Sequence, residues 1–240
     1  MSYKEIKGNI FNTKAMAVVN TVNCVGAMGK GIALDFKLRF PKMFKEYQKI
    51  CFSKKLLPGQ ILPYHDNRFL ILNFAIKDDW KDPSKVEWVE ETLKKFRDNY
   101  KRLGITSIAF PWMGAMNGGI PIEIIKELTR KYLSDLEEVD IEVYDFDPQT
   151  PCYLFSALRN IIDNRVFQIE ELSKLSGIQQ RYWVKILDAM NDSRTTSLNI
   201  LCHYIVDGKR IIGKTNIERL FAFLTDYVDG KFSINSNLFQ

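Results

Sequence analysis

The chain has 240 residues, of which 46% are hydrophobic and 26% are charged, and its formal net charge is +5. This composition is typical of a globular protein with enough length for one large core or two smaller ones, and the mild positive charge is compatible with phosphate-bearing partners. The four cysteines form no CxxC pair and only two histidines occur, which disfavours a zinc site and a disulfide framework. The chain starts without the apolar segment of a signal peptide and contains no apolar run of about 18 residues, so we expect a soluble, cytoplasmic protein without a membrane segment.

Strand-like and helix-like segments alternate through the first part of the chain. Apolar, β-branched runs predict strands at residues 3–10, 15–20, 60–64, 68–75, 107–110 and 139–146. Apolar residues at helical spacing predict helices at residues 31–39, 42–52, 83–103 and 122–133, the third beginning at Pro83 or Ser84. This alternation predicts a mixed or parallel sheet covered by helices, and ligands of such sheets bind beyond the carboxyl ends of the strands.

The segment from Asp147 to Pro151 is rich in turn-forming residues and marks a boundary between domains at 1–148 and 151–240. Beyond it we predict a small, mainly helical domain, with helices at residues 153–162, 169–175, 179–190, 196–204 and 216–228, and a frayed tail at 232–240.

Residues 169–190 have the helix–turn–helix pattern of some DNA-binding proteins, with Ser-Gly at the turn. The second helix carries Arg181, Tyr182, Trp183 and Lys185, a mixture of basic and aromatic residues that suits contact with nucleic acid. The same residues would also suit packing of the helix into the small domain, or binding of a partner or a second copy, and the sequence leaves these alternatives open.

Two glycine-rich loops follow two of the predicted strands. Gly26, Gly29 and Gly31 lie between a strand and a helix, where backbone N–H groups can approach a pyrophosphate. A second loop, at residues 110–120, again follows a strand, so the two loops could hold one diphosphate from both sides. The alternative is that each loop is only a turn that requires positive φ angles.

Three segments of the chain resemble the macrodomain family. Residues 20–33 (NTVNCVGAMGKGIA, loop 1 below) are similar to the first ADP-ribose loop of macrodomains, and residues 111–119 (PWMGAMNGG, loop 2) to the second phosphate loop. Residues 73–80 (NFAIKDDW) resemble the segment that carries the catalytic lysine in the branch of the DarG antitoxins and the terminal ADP-ribose protein glycohydrolases. The resemblance covers about residues 3–148.

The resemblance implies a three-layer α/β/α fold with a mixed sheet of about six strands, and hydrolysis of the bond between ADP-ribose and an acceptor. ADP-ribosylated nucleic acid is the first expected substrate and ADP-ribosylated acidic side chains the second. The family also implies no cofactor and, as for DarG antitoxins, a cognate ADP-ribosyltransferase. A domain that only binds ADP-ribose and recruits a partner through residues 151–240 is the alternative, and a phosphatase acting on ADP-ribose 1″-phosphate is a third.

The resemblance also implies roles for individual residues. Lys77 would be the nucleophile that attacks the anomeric carbon, and Asn23 would orient the distal ribose; a solvated lysine at a strand end is the alternative for Lys77. Loop 2 has no carboxylate, so Lys77 would work either with water and ribose hydroxyls alone or with another acid. Asp78 and Asp79 are the nearest acids in sequence, and the alternative for them is that they are solvated loop charges. The remaining residues expected to contact ADP-ribose belong to three groups, namely Asn9 and Ile10 near the adenine; Asn20, Gly26, Met28, Gly29, Lys30, Gly31, Ile32 and Ala33 in loop 1; and Gly114, Ala115, Met116, Asn117, Gly118 and Gly119 in loop 2.

Aromatic residues complete the expected site. Tyr144 and Phe146 lie at the end of the last predicted strand, where either ring could stack on the adenine or pack in the core. We favour Phe146 for the stacking. Trp80 and Trp112 either line the side of the distal ribose or belong to the core.

Overall fold

The computed structural model describes residues 2–232, so the tail predicted at 232–240 lies, apart from Phe232, outside the described residues. The chain divides into two compact units between Phe146 and Asp147, which we call unit 1 and unit 2. This division lies at the start of the turn-rich segment, residues 147–151, that the sequence marks as the boundary.

Unit 1 contains a six-stranded mixed sheet with the strand order β1-β6-β5-β2-β4-β3. All neighbouring pairs are parallel except β3 with β4, which is antiparallel. The strands are β1 (Tyr3–Gly8), β2 (Ala17–Val22), β3 (Ile61–His65), β4 (Leu70–Ala75), β5 (Ser107–Pro111) and β6 (Asp140–Phe146).

Helices cover both faces of this sheet. They are α1 (Gly31–Arg39), α2 (Pro41–Phe52), α3 (Val86–Asn99) and α4 (Ile122–Leu133). On one face, a buried cluster joins alternate strand residues to α3 and α4, including Val19, Phe74, Phe96, Phe110 and Ile125. Since alternate residues of a strand point to opposite faces, Asn20 faces the other side, where α1 packs on β2. The predicted three-layer α/β/α fold with a mixed sheet is confirmed.

The end of β1 and the start of α3 each have a local cause, and the start of α3 differs from the prediction. β1 ends at Gly8 because Asn9 caps a 3₁₀ turn at Ile10–Asn12, which ends the strand. α3 begins at Val86 and not at Pro83 or Ser84, because the backbone N–H of Ser84 donates a 2.8 Å hydrogen bond to the carbonyl oxygen of Gly118. Ser84 therefore contacts loop 2, although the sequence predicts that it belongs to the helix.

Unit 2 is mainly helical, as predicted. Its elements are α5 (Tyr153–Asp163), α6 (Ile169–Ser176), α7 (Gln180–Asn191), α8 (Leu198–Cys202), a hairpin of β7 (Ile205–Val206) and β8 (Lys209–Arg210), and α9 (Lys214–Val228). The hairpin was not predicted, because each strand has only two residues; its turn places Asp207 and Gly208 at φ 50° and 73°, as type I′ turns require. Within residues 2–232, none of the helices has the length and apolar character needed to cross a membrane.

Candidate functional site

The carboxyl ends of the five parallel strands of unit 1 meet at one edge of the sheet. Because the strand order there is β1-β6-β5-β2-β4, the segments that follow them lie side by side in a fixed order. Asn9 follows β1, Phe146 ends β6, loop 2 follows β5, loop 1 follows β2, and Lys77 follows β4. Four strand spacings of about 4.8 Å separate the first from the last, or about 19 Å. An elongated ligand along this edge would meet both glycine loops at its middle.

Asn23 organises loop 1 from within. Its Oδ1 accepts hydrogen bonds from the backbone N–H groups of Val25 (3.1 Å) and Ala27 (3.2 Å), and its Nδ2 donates to the carbonyl oxygen of Ala27 (2.6 Å). The buried hydroxyl of Tyr47, on α2, lies 2.7 Å from the carbonyl oxygen of Asn23 and 3.0 Å from its Oδ1. The Oδ1 of Asn23 is thus committed to shaping the loop, whereas its Nδ2 has a second hydrogen that could donate to a ribose.

The glycines of loop 1 serve different purposes. Gly26 has φ +83° and lies against α2, where an added Cβ would stand 3.5 Å from the Cβ of Cys51. Gly31 has φ +56°, and an added Cβ would stand only 2.5 Å from the Nδ2 of Asn117 in loop 2. Gly29 has no protein atom within 4 Å of such a Cβ and is exposed. Gly31 is therefore the point where the two loops approach each other.

Loop 2 closes on its own backbone. An added Cβ at Gly118 would stand 2.2 Å from the carbonyl oxygen of Gly114, and that same oxygen accepts a 3.1 Å hydrogen bond from the backbone N–H of Ile120. This close approach leaves no room for a side chain at Gly118. Met116 and Asn117 lie at the exposed tip, with 77% of Met116 accessible.

Lys77 joins the end of β4 to loop 2. Every residue of β4 is buried, so Lys77 is the first side chain beyond the strand to reach the surface. Its Nζ donates two 2.8 Å hydrogen bonds, to the carbonyl oxygens of Asp82 and Asn117. On the other side, the backbone N–H of Cys24 donates to the carbonyl oxygen of Asp78 (2.9 Å). Hydrogen bonds therefore connect the segment around Lys77 to both glycine loops.

The two acids that follow Lys77 differ in their surroundings. The carboxylate of Asp79 accepts a 3.0 Å hydrogen bond from the backbone N–H of Lys81 and thereby closes a turn. Burial, followed by the negative charge of Asp78 and the neighbouring thiol of Cys51, raises the pKa of Cys24 to about 12. Cys24 is consequently a neutral, buried thiol within loop 1 at ordinary pH.

The opposite end of the edge offers one free aromatic ring. Phe146 is 40% exposed. Tyr144 is buried, its hydroxyl donates a 3.0 Å hydrogen bond to Glu142, and burial together with the Glu142 charge raises the pKa of Tyr144 to about 12. Asn9 uses its Oδ1 to accept from the backbone N–H of Phe11 (3.1 Å). Of the two rings considered for stacking, only Phe146 is accessible.

Some residues expected at the site are not accessible there. Asn20 lies inside β2, is fully buried, and donates a 2.8 Å hydrogen bond from Nδ2 to the Oδ1 of Asn73 on β4. The prediction that Asn20 contacts the ligand is therefore wrong, because the sheet register holds it against Asn73. The side chains of Ile10 and Met28 are also buried and leave only their backbones for a ligand.

The two tryptophans differ in exposure. Trp80 is 56% exposed, with the Nζ of Lys81 5.5 Å from its ring centroid, whereas Trp112 packs partly against the core of unit 1. Among residues 2–232, no group of three or more His, Cys, Asp or Glu side chains is arranged to hold a metal ion.

Sequence reasoning missed Tyr47 and the carbonyl oxygen of Asp82. Tyr47 belongs to the apolar stripe of a helix, and nothing in its spacing distinguishes a tyrosine that supports loop 1 from one that only packs. The carbonyl of Asp82 carries no side-chain signature at all.

Comparisons with known proteins identify relatives of unit 1. The family model for the Macro domain matches residues 19–129. The chain is 40% identical over 144 residues to the DNA ADP-ribosyl glycohydrolase of Thermus aquaticus, covering 58% of this chain and 40% of that protein. It is 30% identical over 160 residues to a DNA ADP-ribosyl transferase-DNA ADP-ribosyl glycohydrolase fusion protein of Thermosipho africanus, with 58% and 40% covered. The chain thus spans about 40% of the length of these curated relatives.

Solved structures give the same result for unit 1. The macrodomain of Thermus aquaticus DarG superposes with a TM-score of 0.57 at 39% identity, over 60% of this chain and 97% of that one. Thermosipho africanus DarTG in complex with ADP-ribose superposes with a TM-score of 0.57 at 30% identity, over 61% of this chain and 42% of that one. Because the first of these is matched over nearly its whole length, the chain belongs to the macrodomain family.

Proposed function

We propose that unit 1 binds ADP-ribose along the strand-end edge and hydrolyses the glycosidic bond that joins its distal ribose to DNA. The observation that carries the proposal is the position of Lys77, whose amine lies beside loop 2 at one end of the edge. The name of the Thermus aquaticus relative, a DNA ADP-ribosyl glycohydrolase, supports the same activity and acceptor. Acidic protein side chains remain the second candidate acceptor.

The strand order suggests how the ligand lies. Adenine would stack on the exposed ring of Phe146, near Asn9. The diphosphate would lie between loops 1 and 2, whose backbone N–H groups can approach it where side chains are lacking. The distal ribose would then reach Lys77. The Thermosipho africanus DarTG structure, which contains ADP-ribose, supports this class of ligand.

Two hydrogen bonds hold the Nζ of Lys77 in a fixed position beside loop 2. An ammonium has no lone pair, so the reaction requires that Nζ first give up a proton. The neutral amine keeps two hydrogens, which can maintain the bonds to Asp82 and Asn117. Its lone pair then points away from both carbonyls. Attack at the anomeric carbon would form a bond from Nζ to that carbon and break the bond to the DNA acceptor atom, and one proton lost by the Nζ of the adduct would pass to the acceptor as it leaves.

The second half of the reaction needs water. Hydrolysis of the lysyl adduct would return the amine and free ADP-ribose. Loop 2 supplies no carboxylate to activate this water. Asp78, exposed beside Lys77, is the acid available in this segment, whereas Asp79 is engaged in its turn.

A cognate ADP-ribosyltransferase is part of the proposal. The Thermosipho africanus relative combines a transferase and a glycohydrolase in one chain. An enzyme that removes ADP-ribose from DNA requires another that attaches it, so we expect such a transferase to supply the substrate.

The test compares two substitutions of Lys77 on two substrates. Single-stranded DNA carrying ADP-ribose on a thymidine or guanosine base is assayed beside a protein carrying ADP-ribosyl-glutamate. Lys77→Arg keeps a cation that can donate to both carbonyls but removes the nucleophilic amine. We expect Lys77→Arg and Lys77→Ala to lower turnover by roughly a thousandfold or more, and Lys77→Arg to bind ADP-ribose within a few-fold of the wild type.

The two hydrogen bonds of Lys77 also suit a purely supporting role, which favours a non-catalytic ADP-ribose reader as the second candidate. In that case the wild type would bind ADP-ribose and release it from neither substrate. Turnover that survives in Lys77→Arg would show that Lys77 is not the nucleophile and that hydrolysis proceeds by another route. Release of phosphate from ADP-ribose 1″-phosphate without glycosidic cleavage would identify a phosphatase instead.

A further inference from the structure

Unit 2 contains two short helices joined by a tight turn. α6 has eight residues and ends in Gly177, which adopts the left-handed conformation (φ 69°, ψ 11°). Only residues 177–179 separate it from α7, which has twelve residues and begins at Gln180. Two helices joined by a three- or four-residue turn containing glycine form the helix-turn-helix motif, in which the second helix enters the major groove of DNA.

One side of α7 is fixed to the interior of unit 2. Ile178, Trp183 and Ile186 are fully buried, and the indole Nε1 of Trp183 donates a 2.9 Å hydrogen bond to the Oγ of Ser176 at the end of α6. Trp183 therefore holds the two helices together and is not available to nucleic acid, in agreement with the packing alternative for this residue.

The other side of α7 is exposed and positively charged at its N-terminal half. Gln180, Arg181, Val184 and Lys185 are exposed. The guanidinium of Arg181 and the amine of Lys185 lie 5.0 and 5.9 Å from the ring centroid of Tyr182. α7 carries a single acid, Asp188, which lies about one turn beyond Lys185.

The two cations of α7 differ from several cations on the surface of unit 1. Within residues 2–232, neither Arg181 nor Lys185 forms an ion pair. The paired cations of unit 1 include Arg97 with Asp135, Arg130 with Glu5 and Lys131 with Glu90. Cations without a carboxylate partner can contact phosphate without first breaking an ion pair.

Charged residues of both signs lie on α6 and near the turn. Glu170 and Lys174 of α6 are exposed, and Arg219 of α9 reaches the turn, where it donates a 2.7 Å hydrogen bond to the carbonyl oxygen of Gly177. The carboxylate of Glu171 accepts from the backbone N–H of Gln168 (2.8 Å) in a capping box. The exposed side of α7 thus combines Gln180 and Arg181, which can donate hydrogen bonds to base edges, with Lys185, a cation that can contact phosphate.

We propose that unit 2 binds duplex DNA in a sequence-dependent manner, with the N-terminal half of α7 in the major groove. Gln180 and Arg181 would read base edges, since glutamine pairs with adenine and arginine with guanine in a bidentate manner. Lys185 would contact the phosphate backbone. This binding is separate from the proposed hydrolysis in unit 1, because it needs neither ADP-ribose nor Lys77.

The test selects sequences from a pool of duplexes randomised over roughly 20 base pairs, using the full chain. We expect a consensus, and about tenfold or more weaker binding of that consensus by Gln180→Ala and Arg181→Ala, with a relaxed preference at one position each. Lys185→Ala should weaken the consensus and a scrambled duplex equally and lower the slope of log affinity against log salt by about 1. All three residues are exposed, so thermal melting should match the wild type.

The control is Lys209→Gln, which also removes one exposed cation from unit 2 but lies on the hairpin, outside the two helices. Its base preference should equal that of the wild type. Arg181→Ala should also retain release of ADP-ribose from a short single-stranded oligonucleotide, which separates this proposal from the previous one. Selection without a consensus, equal affinity for single strands and duplexes, or an unchanged preference in Arg181→Ala and Gln180→Ala would overturn the proposal. The absence of binding to any duplex would overturn it in favour of a protein partner for α7.

Discussion

The amine of Lys77 and the backbone carbonyl oxygen of Asn117 are joined by a 2.8 Å hydrogen bond. The side chain of the same asparagine lies over Gly31, where an added Cβ would stand 2.5 Å from its Nδ2. Asn117 therefore contacts the start of α1 with its side chain and the proposed nucleophile with its backbone. A change at Gly31 should consequently alter both the diphosphate loops and the position of the lysine.

We predict that Gly31→Ala weakens ADP-ribose binding by about tenfold or more. A left-handed φ costs a non-glycine residue about 1–2 kcal/mol, and the methyl group would also displace the Asn117 amide. Isothermal titration with ADP-ribose measures the effect. Adding Asn117→Ala to Gly31→Ala should recover part of the lost affinity, because it removes the steric conflict while the φ cost remains.

Gly104→Ala is the matched control for this substitution. Gly104 has φ +65° but no protein atom within 4 Å of an added Cβ, so its replacement introduces a similar backbone cost without a collision. It should lower stability and leave ADP-ribose affinity unchanged. Equal affinities in Gly31→Ala and the wild type would show that the contact between the two loops does not shape the site.

The raised pKa of Cys24 predicts a pH dependence of stability. The folded pKa is about 12, against an ordinary value of 9.0, so the folded chain holds the proton more tightly than the unfolded chain does. The resulting stabilisation is fully present below about pH 9 and is lost as the pH rises towards 12. Urea unfolding at about pH 8 and pH 11 should show a smaller fall in the free energy of unfolding for Cys24→Ala than for the wild type.

Asp78→Asn provides the control, because part of the shift comes from the negative charge of that carboxylate. Its fall in stability with pH should lie between those of the wild type and Cys24→Ala. A fall of the same size in all three proteins would mean that the Cys24 thiol titrates alike in the folded and unfolded chains.

The fold followed from short-range patterns, since alternating apolar strands and amphipathic helices require a covered sheet. The position of Lys77 just beyond a buried, nearly all apolar strand also followed from sequence. The burial of Asn20 could not be predicted from the sequence, because its register against Asn73 depends on which strands are neighbours. The start of α3 was likewise set by a contact between Ser84 and Gly118, 34 residues apart, and local propensity carries no information about such contacts.

The support that Tyr47 gives to Asn23 leads to the last prediction. The Tyr47 hydroxyl is buried and bonds both the backbone and the side chain of Asn23. Tyr100 makes a comparable bond elsewhere, to the carbonyl oxygen of Glu137 (2.9 Å), and is also buried. Tyr47→Phe and Tyr100→Phe should each cost about 0.5–1.5 kcal/mol in the free energy of unfolding, measured by urea denaturation. Only Tyr47→Phe should also weaken ADP-ribose binding, by several-fold, because loop 1 loses a fixed shape; equal affinities in the two variants would mean that Asn23 holds the loop without Tyr47.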